Sequence, residues 1–324
     1  GMVGAHPRLP WEALRDRFGA ETADALFAEA ATVLDWVRDL ITREQISCDY
    51  QEIGRIQLAY TKAQFRSQER LARFVNAKSG ARAQVVDAQG LAEEVNTPLY
   101  CGGLLYPEHG ALHPAKYHRG LLEAVLRRSV PVVADCRASS ITRDGGRFKV
   151  TSQRGDIHAE RIVLATNGYT GDPFHWFASR VFPLPSFMIA TEPLSADLIA
   201  ALAPGGRIMV ETRARHSYFR VSPDGSRILF GGRASMLNID LTTAARRLKT
   251  TMCEIWPQLS ETRITHAWTG NTGYSFNHLP HVGEQDGLHY ALGFSGSGTA
   301  LAPYLGAKAA RRALGVEGSE TSYA

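Results

Sequence analysis

Three glycines within six residues, between an apolar strand pattern and an apolar helix pattern, constrain this chain most. Residues 288–292 have the strand pattern, Gly293, Gly296 and Gly298 come next, and an alanine-rich helix pattern extends to residue 314. Glycine lets a backbone approach a ligand closely, and a helix N-terminus attracts negative charge. The segment predicts a strand–loop–helix unit suited to an anionic ligand, although a tight turn without a ligand explains the glycines equally well.

Several enzyme classes are excluded by the motifs that the sequence lacks. Ser295 and Ser297 lie among the glycines without the G-x-S-x-G spacing of a serine esterase, and no G-x-x-x-x-G-K-[ST] phosphate loop occurs. His109 and His113 lie four residues apart, but Gly110 stands where a zinc protease has glutamate. We interpret both histidines as loop residues rather than metal ligands.

Composition and charge predict a globular protein with a small-molecule substrate. The chain has 324 residues, 44% of them hydrophobic, and a net charge of +4 without a lysine- and arginine-rich block, so no nucleic-acid partner is expected. No apolar run reaches the length of a membrane span, and no signal-peptide pattern is present. The four scattered cysteines favour reduced thiols and a cytoplasmic location.

Periodicity predicts a chain in which helices and strands alternate. Helices are expected at 11–43, 61–78, 115–128 and 240–256. Strands are expected at 50–60, 84–86, 101–106, 130–134, 140–142, 147–151, 157–160, 161–169, 181–192, 207–212, 216–221, 226–232 and 264–269, with a frayed tail at 316–324. A helix, a strand, an antiparallel flap and a further strand at 115–169 are typical of a nucleotide-binding sheet.

Four further blocks give the glycine segment a context. The first ends a strand with Ala165, Thr166, Asn167 and Gly168, and the others are residues 182–193, 230–233 and 268–283. In this order the blocks resemble the FAD-dependent amine and amino-acid oxidases related to D-amino-acid oxidase and glycine oxidase, especially members similar to γ-glutamylputrescine oxidoreductase. The resemblance covers nearly the whole chain, about residues 1–315.

The resemblance implies an α/β plus α+β fold. A doubly wound FAD/NAD(P)-binding sheet would be interleaved with an antiparallel β substrate domain. The FAD-binding domain is expected at 1–46, 108–174 and 281–315, the substrate domain at 47–107 and 175–280, and a tail at 316–324.

The resemblance also implies FAD as the cofactor and assigns residues to it. Val133 matches the position that contacts the adenine, and Ala165, Thr166, Asn167 and Gly168 lie beside the ADP part. Gly293, Gly296, Ser297, Gly298 and Thr299 belong to the loop and helix start at the flavin ring, and Gly270 completes the set. Backbone N–H groups and the helix dipole there would stabilise the charge of reduced flavin.

One part of the family pattern has no counterpart in this sequence. The family begins with a βαβ unit containing GxGxxG and then a segment ending in S-G-R-N-G-G, whereas Met2-Val3-Gly4 resembles the residues just after that segment. We expect a family member without its first βαβ unit, which would remove the helix N-terminus that binds the pyrophosphate. FAD occupancy of this chain is then a question that a flavin spectrum answers.

The substrate assignments also come from the resemblance. Such oxidases move a hydride from the carbon bearing the amine to the flavin, and no catalytic side chain is assigned here. Tyr274, Arg233 and His278 are expected to bind substrate. We interpret His281 as a structural residue near the cofactor and Trp268 as a core residue.

The charge of the substrate depends on which arginine is available. Family members that act on α-amino acids place a carboxylate-binding arginine in the segment 268–274, which has none here, so an amine or ω-substituted amine is favoured. Alternatively, Arg213, Arg215 or Arg220 supplies the cation.

Three interpretations of the whole chain remain open. It is an FAD-dependent amine oxidoreductase, or an inactive binding or structural remnant that forms a homodimer, or it works with a separate subunit that supplies the nucleotide-binding fold.

Overall fold

The computed structural model describes residues 1–4, 6–214, 216–233, 235 and 239–323. Its helices are α1 Trp11–Phe18, α2 Ala20–Arg43, α3 Lys62–Lys78, α4 Pro114–Arg127, α5 His175–Ala178, α6 Ala196–Leu202, α7 Leu241–Ile255 and α8 Gly298–Leu314. Its strands are β1 Met2–Val3, β2 Arg55–Ala59, β3 Gln84–Asp87, β4 Gly102–Tyr106, β5 Gly110–Ala111, β6 Ala138–Asp144, β7 Arg147–Ser152, β8 Gly155–Ala159, β9 Ile162–Leu164, β10 Val181–Thr191, β11 Ile208–Glu211, β12 Tyr218–Val221, β13 Ile228–Gly232, β14 Ile264–Ser275, β15 His281–Gln285 and β16 Leu288–Leu292.

Local sequence explains where several helices begin. Thr61 caps α3 through a reciprocal capping box with Gln64. The Asp240 carboxylate accepts a hydrogen bond from the backbone N–H of Thr243 at the start of α7. Proline at the first position of α4 loses no intrahelical hydrogen bond there. These helix starts agree with the predicted ones within about two residues.

An eight-stranded sheet forms the larger β layer. Its order is β14-β10-β13-β12-β11-β2-β4-β3, and only β11 and β2 are parallel neighbours. Alternate residues of its strands therefore share one face, which positions the residues of the candidate site. Helix α7 covers the opposite face, where Leu248 and Met252 are buried with Phe230 and Trp256.

The smaller sheets are separate from the eight-stranded sheet. Strands β15, β16 and β9 form one of them, in which β16 and β9 are parallel, and β6, β7 and β8 form an antiparallel flap. Helices α2 and α8 share a second core with residues such as Val33, Leu301 and Leu305. The predicted mixture of α/β and α+β parts is confirmed, and the domain boundaries stay a prediction.

The strand predicted at 130–134 does not form. Val132 and Val133 are 53% and 55% exposed and lie in irregular backbone. Pro131 has no N–H to donate to a sheet, and β9 hydrogen-bonds only with β16 among the described strands. The predicted buried strand at 161–169 is likewise only three residues long, with Val163 41% exposed.

Two other predictions are wrong, one at the end of strand β14 and one at the C-terminal tail. Strand β14 continues through Gly270 to Ser275, because residues 264–275 pair with the long strand β10. The tail is packed rather than frayed: Tyr323 is 3% exposed, and its carbonyl accepts the Val282 N–H at 3.0 Å. Glu29 on α2 also accepts hydrogen bonds from residues of this tail.

A membrane-spanning helix is absent from the part of the chain that the structure describes. None of its helices combines the length and the hydropathy needed to cross a bilayer.

Candidate functional site

A cavity of about 510 Å³ separates the glycine loop, residues 293–298, from one face of the eight-stranded sheet. Gly296, Ser297 and Thr299 line it on the loop side. Residues of β2, β11, β12, β13, β10 and β14 line the sheet side. The cavity therefore joins the most distinctive sequence motif to the antiparallel sheet.

The backbone of the glycine loop adopts conformations that favour glycine. Gly293 and Gly296 have φ angles of 75° and 99°, in the left-handed region. Helix α8 begins directly after the loop, and the Ser297 side chain does not cap it. The first N–H groups of a helix without a side-chain cap are available to a ligand with negative charge.

The Ala165–Gly168 segment holds the glycine loop against β14. Asn167 Oδ1 accepts the backbone N–H of Gly293 at 3.1 Å. Gly168 lies so close to β14 that an added Cβ would be 2.8 Å from the Asn271 carbonyl oxygen and the Gly273 nitrogen. These contacts give the segment a structural role, and its contact with a nucleotide stays a prediction.

The remaining assigned cofactor residues have different surroundings. Thr166 and Thr170 share a hydroxyl–hydroxyl hydrogen bond of 2.6 Å, and Ala165 is exposed beside them. Gly270 pairs with Ser186 inside the β10–β14 ladder. Val133 is exposed and is not among the residues that line the cavity. The cofactor roles of these residues stay predictions.

Tyr274 and Arg233, two of the three predicted substrate residues, line the cavity. Arg233 Nη2 lies 3.4 Å from the Tyr274 hydroxyl, and the Arg8 guanidinium lies 5.2 Å from the centre of the tyrosine ring. His278, the third, is not among the cavity residues and packs edge-on against Tyr274 at 6.2 Å. Burial, together with Arg8, Arg17 and Arg233, lowers the pKa of His278.

Trp268 and His281 differ in their positions relative to the cavity. Trp268 is 43% exposed and lines the cavity, so its interpretation as a core residue is wrong. Its position on the open face of β14, opposite Met188, is the reason. His281 lies outside the cavity lining, with Nε2 3.0 Å from Asn277 Oδ1.

The sheet face of the cavity contains two arginines, Arg55 on β2 and Arg220 on β12, that we call the arginine row. Arg55 of β2 pairs with Ile208 of β11, and Arg220 of β12 pairs with Leu229 of β13. The register of β11 with β12 brings Ile208 beside Arg220. Arg55 and Arg220 are thus two strands apart, or about 10 Å between their Cα atoms.

Arg55 and Arg220 are both buried, at 3% and 8% exposure. Burial lowers the pKa of the Arg55 guanidinium to about 10 and also lowers the pKa of Arg220. The Arg55 guanidinium stays protonated at neutral pH, since a pKa of about 10 is well above 7. Arginine side chains in general stay protonated in proteins. The cavity face is therefore permanently positive.

The three arginines named as alternative sources of the cation differ in their surroundings. Arg220 lines the cavity. Arg213 forms ion pairs with Glu211 at 2.5 Å and with Glu254 at 2.6 Å. Arg215 lies outside the described residues. A cation for an anionic substrate group is thus present in β12, although segment 268–274 lacks one.

Sequence reasoning missed Arg8 and Arg55. A weak signal for Arg55 existed, because Arg55 and Gln57 alternate with the apolar Ile56 and Leu58 in a predicted strand. Arg8 precedes α1 in a segment without a strand or helix pattern. Only the folded chain brings Arg8 to the β14 residue Tyr274.

The histidines next to the cavity are neutral at physiological pH. Burial, with smaller effects from Arg8, Arg233 and Arg55, lowers the pKa of His216 to about 4. Burial also lowers the pKa of His6 and His109 well below the usual value. No aspartate or glutamate occurs among the described residues that line the cavity. Negative charge must come from a ligand.

The structure combines a glycine loop at the start of a helix with a largely antiparallel sheet, and the cavity lies between them. This arrangement was compared with those of known protein families. The family model for FAD dependent oxidoreductases, DAO, matches residues 1–312. The chain belongs to this family, as its motifs predicted.

Individual relatives agree with that membership. The chain is 28% identical over 317 residues to a probable oxidoreductase OrdL of Rhizobium meliloti (strain 1021), covering 97% of this chain and 73% of the relative. It is 27% identical over 289 residues to the gamma-glutamylputrescine oxidoreductase of Escherichia coli (strain K12), covering 89% and 67%. The similarity to this kind of oxidoreductase is therefore confirmed.

The fold has a similar counterpart among solved structures. Glycine oxidase from Geobacillus kaustophilus superposes with a TM-score of 0.79 at 17% identity, covering 100% of this chain and 85% of that one. The agreement confirms the predicted fold class.

The residues at the glycine loop fit the ring end of the family's cofactor, FAD. Adding a Cβ to Gly296 would place it 3.4 Å from the Tyr274 hydroxyl, so glycine leaves this backbone open to a ligand. The start of α8 offers N–H groups where reduced flavin has negative charge. The donor set and the cavity thus agree with a flavin ring.

Proposed function

We propose that this protein oxidises the C–N bond of an amine or amino-acid-like substrate with FAD. The observation that supports this most is the cavity that joins the glycine loop to the positively charged sheet face. FAD, when bound, would supply the acceptor for a hydride from the carbon that bears the amine, and water would then hydrolyse the resulting imine. Gly296, Ser297, Gly298 and Thr299 would hold the ring, and residues 165–168 would lie towards the ADP part.

The chain's own residues prepare the substrate for this step. A hydride leaves most readily when the amine is neutral, because the nitrogen lone pair then stabilises the product. Arg8 and Arg233, both near the Tyr274 ring, disfavour a further positive charge and so lower the pKa of a bound ammonium group. The Tyr274 hydroxyl accepts a hydrogen bond from Arg233, which fixes the tyrosine ring.

The apolar part of the lining excludes water from the reacting carbon. Leu184, Met188 and Leu229 face the cavity between the polar groups. Water exclusion strengthens the electrostatic effect of the arginines. No side-chain base is assigned, because both histidines that line the cavity are weak bases. Burial lowers the pKa of His216 to about 4 and the pKa of His6 well below its usual value.

A second candidate function is binding without turnover, by an inactive member of the family. The exposed surface at Val132, Val133 and Val163 favours it, because this side is where the resemblance places the adenosine. Fewer contacts there weaken FAD binding by these residues. A second copy of the chain or a separate subunit covering β9 would restore the contacts.

We also propose a cytoplasmic location. All four cysteines are free thiols, and Cys48 is buried. Free thiols persist where the environment is reducing.

An anaerobic flavin experiment separates the two functions. Purified protein is equilibrated with FAD, freed of excess cofactor and mixed with primary amines and ω-amino acids without oxygen. Bleaching of the bound flavin's visible absorbance supports the oxidoreductase. Bound flavin that no such compound bleaches, or no bound flavin, supports the inactive protein instead.

A further inference from the structure

The arginine row contains a buried charge that lacks a partner within the described residues. Arg55 Nε and Nη2 are both buried and have no hydrogen-bond partner there. The guanidinium lies 4.9 Å from the centre of the Tyr106 ring, which satisfies none of its N–H donors. A buried, unpaired guanidinium is costly, so its presence beside a cavity indicates a ligand that supplies the acceptors.

Arg220 presents a second cation to the same part of the cavity. Its Nε donates to the Val221 carbonyl at 2.8 Å, which fixes the side chain. Asp49 acts on Arg220 electrostatically, but its two carboxylate oxygens already accept hydrogen bonds from Lys116 at 2.9 and 2.8 Å. No ion pair joins Arg55 or Arg220 to an acid among the described residues.

The arginine row is separate from the arginines around Tyr274. Arg233 follows Leu229 by four residues along one face of β13 and the residues after it. At about 3.3 Å per residue, the two positions are about 13 Å apart. Arg8 and Arg233 lie near the glycine loop, whereas Arg55 and Arg220 lie at a different level of the sheet.

We propose that Arg55 and Arg220 form a subsite for a carboxylate that is remote from the oxidised C–N bond. The substrate is then an amine whose far end carries a carboxylate. This inference rests on the proposed function for the position of the amine, and it goes beyond it by assigning the substrate's charge. Planar guanidinium groups suit a carboxylate, which can accept two hydrogen bonds from one arginine.

The same charges exclude simpler amines as good substrates. An alkylamine without a carboxylate leaves the Arg55 donors unpaired. A diamine adds a second positive charge to a cavity with four arginines, and like charges repel most strongly where water is excluded. Discrimination against both compounds is therefore expected to come from the arginine row.

Calorimetric titration of the purified protein without added flavin tests the subsite. The probes are ε-aminocaproate, hexylamine and hexamethylenediamine, which share a six-carbon chain and differ in the remote group. We expect ε-aminocaproate to bind about 10- to 100-fold more tightly than hexylamine, the range given by hydrogen bonds to charged groups. Equal affinities of these two compounds in the wild-type protein would overturn the proposal.

Three variants locate the effect. Arg55→Gln and Arg220→Gln should each reduce the preference for ε-aminocaproate by about 10-fold or more. Arg263→Gln is the matched control, because Arg263 is 80% exposed and pairs with Glu192 outside the cavity, and it should keep the full preference. A folded Arg55→Gln protein with the wild-type preference contradicts the subsite. If Arg55→Gln does not fold, the proposal is tested by Arg220→Gln and by the titrations of the wild-type protein with the three probes.

The outcomes distinguish this inference from the proposed function. The titration needs no flavin, so a carboxylate preference without flavin bleaching contradicts only the oxidoreductase function. Bleaching by hexylamine and ε-aminocaproate with equal affinity contradicts only the subsite.

Discussion

At the scale of single residues, unpaired positive charge is the dominant property of the cavity. Arg8, Arg55, Arg220 and Arg233 surround it without an aspartate or glutamate among the described lining residues. Sequence patterns predicted Arg233 and Tyr274 through the resemblance and kept Arg220 as an alternative. They missed Arg8 and Arg55. Whether an arginine has an acidic partner depends on contacts between distant parts of the chain, which sequence patterns do not reveal.

Neutral buried histidines make the stability of the protein depend on pH. His109 is 4% exposed, and burial lowers its pKa well below 6.5. The unfolded state therefore binds more protons below pH 6.5, so the free energy of unfolding falls as pH decreases. His109 alone contributes up to about 1.4 kcal/mol per pH unit in this range. His216, with a pKa of about 4, acts in the same direction.

Urea denaturation between pH 7 and pH 5 measures this dependence. His109→Gln should reduce the slope of unfolding free energy against pH. His118→Gln, on the exposed side of α4, is the matched control for the loss of an imidazole ring. A wild-type free energy that is constant over this range would show that these histidines are not buried in the neutral form.

At the scale of elements, close backbone approach explains why the glycine loop and β14 keep their positions. The predicted elements were confirmed where periodicity was long, as in α2, α3 and α7. They were wrong at 130–134 and at the end of β14. Pairing with a distant strand determines whether a strand forms and where it ends, as it does for β14 with β10. Sequence patterns do not contain the register of β10 with β14.

Replacing Gly168 with alanine tests the contact between the Asn167–Gly168 turn and β14. The new Cβ would be 2.8 Å from two backbone atoms of β14, which cannot move independently. We expect a loss of about 2 kcal/mol or more of unfolding free energy, as for other overpacked sites. Gly306→Ala in α8 is the control: its Cβ meets no atom within 4 Å. It should stabilise the protein by about 0.5–1 kcal/mol. Equal effects of the two variants in chemical denaturation would rule out the contact.

The packed tail makes a further prediction for an element that the sequence predicted to be frayed. Tyr323 is 3% exposed in the core that α2 and α8 share. Tyr323→Ala should lower the unfolding free energy by about 3 kcal/mol or more, as for other buried aromatic residues. Glu320→Ala, at an exposed position of the same tail, should have little effect. A drop of under about 1 kcal/mol for Tyr323→Ala would mean that the tail does not pack in solution.

At the scale of the whole molecule, two cores meet at one cavity. One core supports the glycine loop through α8, and the other supports the sheet face through α7. The order of motifs along the sequence sufficed to predict the family and the mixed fold. The shape and charge of the cavity required the folded chain, because residues from the N-terminal segment, the glycine loop and seven strands line it.

The anaerobic reduction of bound flavin by ε-aminocaproate tests the central claim most directly. We predict that the protein, equilibrated with FAD, loses its visible flavin absorbance when this compound is added without oxygen. Hexylamine should need about 10-fold or more higher concentration to give the same bleaching. Bound flavin that ε-aminocaproate leaves oxidised would contradict the proposed oxidation of a carboxylate-bearing amine.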